Sequence, residues 1–263
     1  MTRGEFLGKA ELPRPELVQL LCAQLGLERA QVYLAPEQEI PPADLRHLSE
    51  QVTRRRDGWP LQYLVGSAWF WSQRLRVGPG VLVPRPETET LVQEAIERAP
   101  VGGRVADIGT GSGAIALALG MERPDLRITA VEKSRLALRY ARENLAGIAD
   151  VLEGDLLAPL REPQEMIVSN PPYVALSQYA ELPADVRREP RGALLGGADG
   201  LSVVRRIVRG APGRLAGGGW LLLEVGQGQS AAVQELMAGA GFQDLFAQAD
   251  LAAIPRVVGG RLR

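Results

Sequence analysis

Apolar residues in the first sixty or so positions recur at intervals of three and four: Leu17, Leu20, Leu21 and Leu25 form one stripe, and Leu45, Leu48 and Val52 form a second. That period predicts helices with one buried face, and no strand. The second stripe predicts a long helix that begins after Pro41-Pro42, runs through Arg54-Arg55-Arg56 and stops at Asp57-Gly58, since proline suits a first turn and glycine a stop. Between residues 61 and 83 the period shortens towards two. Leu61–Val65, Ala68–Trp71 and Leu75–Val77 read as short strands broken by Gly66 and Gly78-Pro79-Gly80, which predicts a β-hairpin linker. On such a strand Trp69 and Trp71 share one face and Phe70 takes the other. From residue 86 the two periods alternate: a helix at 86–99, a strand at 104–108, a helix at 113–120, a strand at 127–132 and a helix at 134–146. Further strands are expected at 150–153, 165–169, 219–224, 242–247 and 255–262, the last two forming an antiparallel end pair. This alternation predicts an α/β fold with a mainly parallel sheet. The chain divides into a helical domain over 1–60, a hairpin linker over 61–83 and an α/β domain over 84–263. Ligands of such sheets bind where loops leave the carboxyl ends of the strands at a topological switch point.

Composition narrows the partners. The 263-residue chain is 46% hydrophobic and 23% charged, with formal net charge -1 and a pI near 6.0, so it has no sequence-wide basic field and stable nucleic-acid binding is not expected. Cys22 is the single cysteine, which excludes an internal disulfide, and no His/Cys cluster has metal-ligand spacing, so no metal is expected. His47, the single histidine, sits among polar neighbours and receives no catalytic role. No run of about 18 apolar residues occurs, so no membrane span is expected and the location is expected to be cytoplasmic.

Two segments carry the chemistry. Asn170-Pro171-Pro172-Tyr173 follows Met166-Ile167-Val168-Ser169, an apolar run that reads as a buried strand. Two prolines fix φ and bring no N–H, so nearby carbonyls are left unpaired while the Asn170 amide supplies one more acceptor. Such a clamp suits a planar NH2 group, with Tyr173 packing its ring against it. Upstream, Asp107-Ile108-Gly109-Thr110-Gly111-Ser112-Gly113 follows the first strand of the alternating region. Glycines there admit positive φ and close approach of a ligand, and the following helix offers free N–H groups. Glu132 ends the next strand, where a carboxylate can accept from two ribose hydroxyls. Asp155 and Leu156 follow the third and can form the polar rim and floor of an adenine pocket. Gly109-x-Gly111-x-x-Ala114 also satisfies the dinucleotide pattern. Against a dinucleotide stands Asp107, which would repel a pyrophosphate and attract the ammonium of a methionine-type ligand. The residues therefore favour S-adenosylmethionine, leaving the product S-adenosylhomocysteine.

At these residues the chain resembles the bacterial protein-(glutamine-N(5)) methyltransferases that modify peptide-chain release factors. The likeness runs through Arg54 to Leu64, Phe70-Trp71-Ser72, Val83-Pro84-Arg85-Pro86-Glu87-Thr88-Glu89, Asp107 to Leu119, Ile167 to Tyr173, and Glu189-Pro190-x-x-Ala193-Leu194. It implies a Rossmann-like S-adenosylmethionine-dependent methyltransferase sheet with a small N-terminal helical domain. It also implies methyl transfer to the glutamine of the Gly-Gly-Gln loop in class 1 release factors, modulating translation termination. On that resemblance Asn170, Pro171, Pro172 and Tyr173 hold the substrate glutamine, Arg85 belongs to the substrate side, and the helical domain helps dock the release factor. Asp107, Gly109, Thr110, Gly111, Ser112, Gly113, Glu132, Asp155, Leu156 and Asn170 serve the cofactor. Two positions depart from the family pattern: Glu132 stands where many relatives have Asp, and Leu156 where several have an aromatic residue. A methyltransferase acting on an exocyclic amine of a nucleic-acid base satisfies the same clamp and is the alternative. A cofactor-binding regulator without activity is a third reading, disfavoured by clamp and loop occurring together.

Overall fold

The computed structural model describes residues 1–263. Helices α1 (Arg3–Lys9), α2 (Arg14–Leu25), α3 (Arg29–Leu34), α4 (Pro42–Arg56) and α5 (Leu61–Val65) form the N-terminal module. Leu17, Leu20, Leu21 and Leu48 are fully buried in its core beside Phe6, Val32 and Ile40. Proline opens α4 in its first turn, as its missing N–H allows, and Asp57 closes it. The expected strand at Leu61–Val65 is instead α5. Leu61, Tyr63 and Val65 satisfy the alternating period, but Leu61, Leu64 and Val65 satisfy the helical one, and these pack on the module's core. Gly66 ends α5 in the left-handed region at φ 72.

A two-stranded hairpin follows, β1 (Ser67–Phe70) with β2 (Gln73–Arg76). Trp71 does not extend the strand as expected. It and Ser72 turn the chain with φ 49 and φ 57, the left-handed pair of a two-residue hairpin turn. Trp69 and Trp71 therefore do not share a face: Trp69 is exposed, while Trp71 packs on the core of the α/β domain and its indole donates to Glu122.

The α/β domain comprises α6 (Glu89–Arg98), β3 (Arg104–Ile108), α7 (Ala114–Glu122), β4 (Arg127–Glu132), α8 (Arg135–Asn144), β5 (Asp150–Glu153), β6 (Gln164–Ser169), α9 (Arg191–Leu194), α10 (Ser202–Gly210), β7 (Leu215–Glu224), α11 (Ser230–Gly239), β8 (Phe242–Ala249) and β9 (Pro255–Leu262). Its seven strands lie in the order β5-β4-β3-β6-β7-β9-β8. The first five are parallel, and β9 is antiparallel to both of its neighbours. The strands expected at 219–224 and 242–247 prove longer, and β9 also pairs with β7, lying inside the sheet rather than only beside β8. Apolar residues of α6, α7 and α8 cover one face of the sheet and those of α10 and α11 the other. The winding reverses between β3 and β6, so the loops leaving these two strands open a crevice between them, as open α/β sheets do at a switch point.

Arg55 ties the helical module to the α/β domain. Its guanidinium meets Glu16 Oε2 at 2.7 Å, the Trp59 carbonyl at 3.1 Å and Asp185 Oδ2 at 3.4 Å. Arg54 and Arg188 approach the Trp59 ring at 5.9 and 5.4 Å from its centroid. Of the arginines expected at the end of α4, Arg55 is thus structural, and Arg56 pairs with Glu11.

Candidate active site

The loop after β3 is shaped by three left-handed glycines, Gly109 (φ 70), Gly111 (φ 59) and Gly113 (φ 88). They serve different ends. A Cβ on Gly113 would lie 2.8 Å from Leu145 Cγ, so this glycine lets α7 pack closely, whereas a Cβ on Gly109 would meet nothing within 4 Å. Gly109 therefore borders free space that a ligand can fill. The N–H groups of Gly109 and Thr110 both donate to the Val131 carbonyl, at 2.8 and 3.0 Å, fastening the loop to β4.

Asp107 is completely buried beneath the loop. Its Oδ2 accepts from the Thr110 hydroxyl at 2.5 Å, and its Oδ1 has no partner. Burial pushes its pKa up to about 7 against the Thr110 bond. Glu132 ends β4 at the pocket with its carboxylate already anchored: Oε2 accepts from Gly111 N at 2.9 Å, and Oε1 from Lys133 N and Ser134 N at 2.8 and 2.7 Å. Leu156 stands in the pocket wall with φ 52, a left-handed conformation unusual for a leucine.

The crevice encloses about 160 Å³. Of the residues singled out from sequence, it gathers Arg85, Gly109, Thr110, Gly111, Ser112, Glu132, Leu156, Asn170, Pro171 and Pro172 in one lining. Gly113 caps α7 just behind it. Asp155 stands outside that lining, its carboxylate engaged by Arg206 at 2.6 Å and Lys133 at 3.4 Å, and the Arg206 bond holds its pKa below the usual range. A larger hollow lies on the outer side of the sheet's β5 edge, lined by charges of both signs, and Arg104 there is already paired to Glu162.

At the clamp, Asn170 Nδ2 donates to Thr88 Oγ1 at 3.0 Å, which leaves Oδ1 without a protein donor. Pro171 is buried and Pro172 half-buried. Tyr173 departs from the expected stacking. Its ring lies close to Gly226, in a separate hollow with Gln229 and Arg256, and the Gln229 side chain donates to its carbonyl at 3.0 Å. Burial raises its phenol pKa above the ordinary value. Arg85 is bound by Glu189, which is 3% exposed and also accepts from Val83 N at 2.9 Å. Burial raises the Glu189 pKa and Arg85 opposes the shift.

Sequence reasoning singled out none of Thr88, Glu189, Glu224, Gln229 or Gly196. Thr88 and Glu189 lie in segments that carried the resemblance, a signal that could have found them. Gly196 supports the clamp by close approach: its N–H donates to the Val174 carbonyl at 2.9 Å, and a Cβ there would collide with the carbonyl oxygens of Gly200 and Pro172.

Known proteins resemble this chain throughout. Residues 86–184 match the family model described as the Methyltransferase small domain, and residues 4–66 the PrmC N-terminal domain. The chain is 41% identical to a release factor glutamine methyltransferase of Geobacter sulfurreducens, over 99% of this chain and 94% of that one. It is 40% identical to a release factor glutamine methyltransferase of Neisseria gonorrhoeae, over 99% and 98%. Among solved structures, a methyltransferase from Pyrococcus furiosus shares the fold at TM-score 0.55 and 18% identity, over 71% of this chain and 87% of that one. So does a 16S rRNA methyltransferase of T. thermophilus in complex with AdoMet and guanosine, at TM-score 0.55 and 22% identity, over 75% and 50%.

Proposed function

This chain belongs to the release factor glutamine methyltransferases, and from that premise we propose that it methylates the side-chain amide nitrogen of the glutamine in the Gly-Gly-Gln loop of class 1 release factors, with S-adenosylmethionine as donor. The observation that carries this reading is the free Asn170 Oδ1 set in one lining with the glycine loop. The donor fits the residues present. Gly109 opens onto free space, Asp107 holds an unpartnered buried oxygen suited to an ammonium, and Glu132 is fixed at the pocket by three N–H groups. S-adenosylmethionine supplies an activated methyl group on a sulfonium.

A glutamine amide nitrogen is a poor nucleophile, because its lone pair is delocalised into the carbonyl. Asn170 Oδ1 and the Pro171 carbonyl, each accepting one N–H, would orient that nitrogen and stabilise the positive charge that develops as the new N–C bond forms. No strong base is needed beforehand, since the methylated nitrogen is acidic and its proton can pass to solvent. Orientation of this kind supplies up to roughly 7–11 kcal/mol. Arg85, held by Glu189, sits on the same lining and is assigned to the substrate. Tyr173 serves the clamp from outside the pocket, its carbonyl tied to Gln229. Asp155, engaged by Arg206 and Lys133, would orient the adenine side from behind Leu156. The helical module, α1 to α5, hitched to the catalytic domain by Arg55, is assigned to docking the release factor.

The nucleic-acid alternative is not favoured: relatives spanning the whole chain are named for release factors, and the net charge of -1 offers no general attraction to phosphates. No helix is long and apolar enough to cross a membrane. Labelled S-adenosylmethionine offered with an intact release factor, its Gln-substituted variant and nucleic acids tests the proposal. Label is expected in the intact factor alone, and transfer to the variant or to nucleic acid would overturn it.

Cofactor binding is also expected to depend on pH through Asp107. Its folded-state pKa of about 7 lies above the usual carboxylate value, so the stability it lends the ligand-free protein is present at low pH and is lost as pH rises through about 7. An ammonium placed beside it favours the ionised form. Affinity for S-adenosylmethionine should therefore rise as pH increases towards about 7, with release of a proton on binding. Calorimetry in buffers of different ionisation enthalpy measures that proton, and Asp107→Asn should abolish its release.

A further inference from the structure

Arginines and aromatic rings alternate along a surface that starts at the mouth of the pocket. Residues 175–193 leave the clamp and return to it: Val174 N donates to the Leu194 carbonyl at 2.9 Å, and Pro190 and Ala193 line the pocket. Arg191, next to Pro190, lies over the Tyr179 ring at 4.6 Å from its centroid. The Tyr179 hydroxyl donates to the Arg187 carbonyl at 3.3 Å, and Arg188 reaches the Trp59 ring, which Arg54 of α4 approaches as well. Arg188 also donates to the Asp57 carbonyl at 3.1 Å. The belt therefore runs from the pocket to the helical module, and all four of its arginines are exposed.

None of the four forms an ion pair, whereas Arg55 and Arg56 beside Arg54 both do. Carboxylates of the same loop are already spent, Asp185 on Arg55 and Glu189 on Arg85. Asp57 and Glu181 are exposed there and offset two of the four charges at most. A guanidinium laid on a ring is held in place without being neutralised. Its in-plane N–H groups stay free for a carboxylate, which they can grip with two bonds. An arginine ordered beforehand also loses less side-chain entropy on binding. We propose that Arg54, Arg187, Arg188 and Arg191 form a docking surface for acidic side chains of the protein substrate, those that flank the glutamine delivered to the clamp. This rests on the glutamine reading, which brings a protein loop to Asn170. A nucleic acid fits the belt less well. The rings are taken up by arginines rather than left bare as platforms for bases, and the net charge of -1 offers no wider pull on a polyanion.

The test measures methyl transfer by the full-length enzyme to an intact release factor and to a short Gly-Gly-Gln peptide without acidic residues, at saturating S-adenosylmethionine. With the intact factor, the combined Arg54→Gln, Arg188→Gln and Arg191→Gln variant is expected to raise KM on the order of tenfold or more with little change in kcat, since charges at the rim of an interface act on encounter and affinity. KM for the peptide should move far less. Added salt should raise the wild-type KM for the intact factor steeply and that of the triple variant only slightly. Lysine at the same three positions keeps the charge and should recover part of the loss. Arg191→Glu, which reverses one exposed charge, should raise KM for the intact factor by itself, a comparison that stands even if the triple variant does not fold. Wild-type KM in both variants overturns the proposal. So does an equal loss with the peptide, which would mark a structural role. Single-stranded RNA that binds wild type at physiological salt and the triple variant weakly would assign the belt to nucleic acid and overturn it too. The wild-type rate in the same series separates the two claims, since its absence would remove the glutamine reading and this docking surface with it.

Discussion

Asn170→Ala is expected to lose on the order of a hundredfold or more in methyl transfer while still folding and still binding S-adenosylmethionine. The side chain supplies one of two acceptors for a single NH2, and removing one preorganised polar group of this kind commonly costs about 2.7–4 kcal/mol of transition-state stabilisation. Its contribution to folding is smaller. The one protein bond its side chain makes is to Thr88, and a neutral hydrogen bond is worth roughly 0.5–1.5 kcal/mol net. Asn170→Asp is the sharper variant, because it keeps the acceptors and loses the donor that engages Thr88. It should retain more activity than Asn170→Ala. Mass spectrometry of the target peptide gives the rates, and near-normal methylation by Asn170→Ala would sink the mechanism.

Gly196→Ala should harm the enzyme almost as much without touching substrate. A Cβ at this position would sit 2.5 Å from the Pro172 carbonyl and closer still to that of Gly200. Both neighbours are backbone, so neither can rotate out of the way, and the clamp itself must move. Overpacking of this sort costs about 1–3 kcal/mol of stability. A displacement near 1 Å at the reacting group can cost about a hundredfold in rate. Cofactor affinity should hold, as the glycine loop lies on a different strand end. Gly192→Ala provides the comparison, because a Cβ there meets nothing within 4 Å and alanine favours the short α9. Denaturant midpoints and kcat/KM for the two variants should diverge, and a Gly196→Ala enzyme as active as Gly192→Ala would show that Pro172 is free to shift.

The contrast between these two sites marks what could be read from the chain. The α/β alternation was legible because Arg104–Ile108, Arg127–Glu132 and Asp150–Glu153 are short strands separated by helical stretches, and the structure places them at those bounds. Asn170 stands out in the sequence for the two prolines beside it, and the structure places it in the pocket lining with Oδ1 free. Leu61–Val65 was misread, since in five residues Leu61, Tyr63 and Val65 fit the alternating period while Leu61, Leu64 and Val65 fit the helical one, and only packing on the helical module decides. Trp71 was misread because a left-handed turn without glycine or asparagine leaves no compositional mark. Gly196 was beyond reach for a different reason. It matters through a neighbour remote in sequence, Pro172, and no local pattern encodes that adjacency.

The position of β9 has a consequence for synthesis. Residues 255–262 are made after β8 yet lie between β7 and β8 in the finished sheet, pairing Trp220 through Glu224 with Arg261 through Val257. Until they emerge from the ribosome, β7 carries an uncovered edge along Leu221, Leu222 and Leu223, all of them fully buried in the native protein. An unpaired apolar edge is a template for association between nascent chains. The time taken to translate residues 225–262 is thus the interval in which this protein most needs a chaperone, and slow codons in that stretch should lower its soluble yield more than slow codons before residue 215.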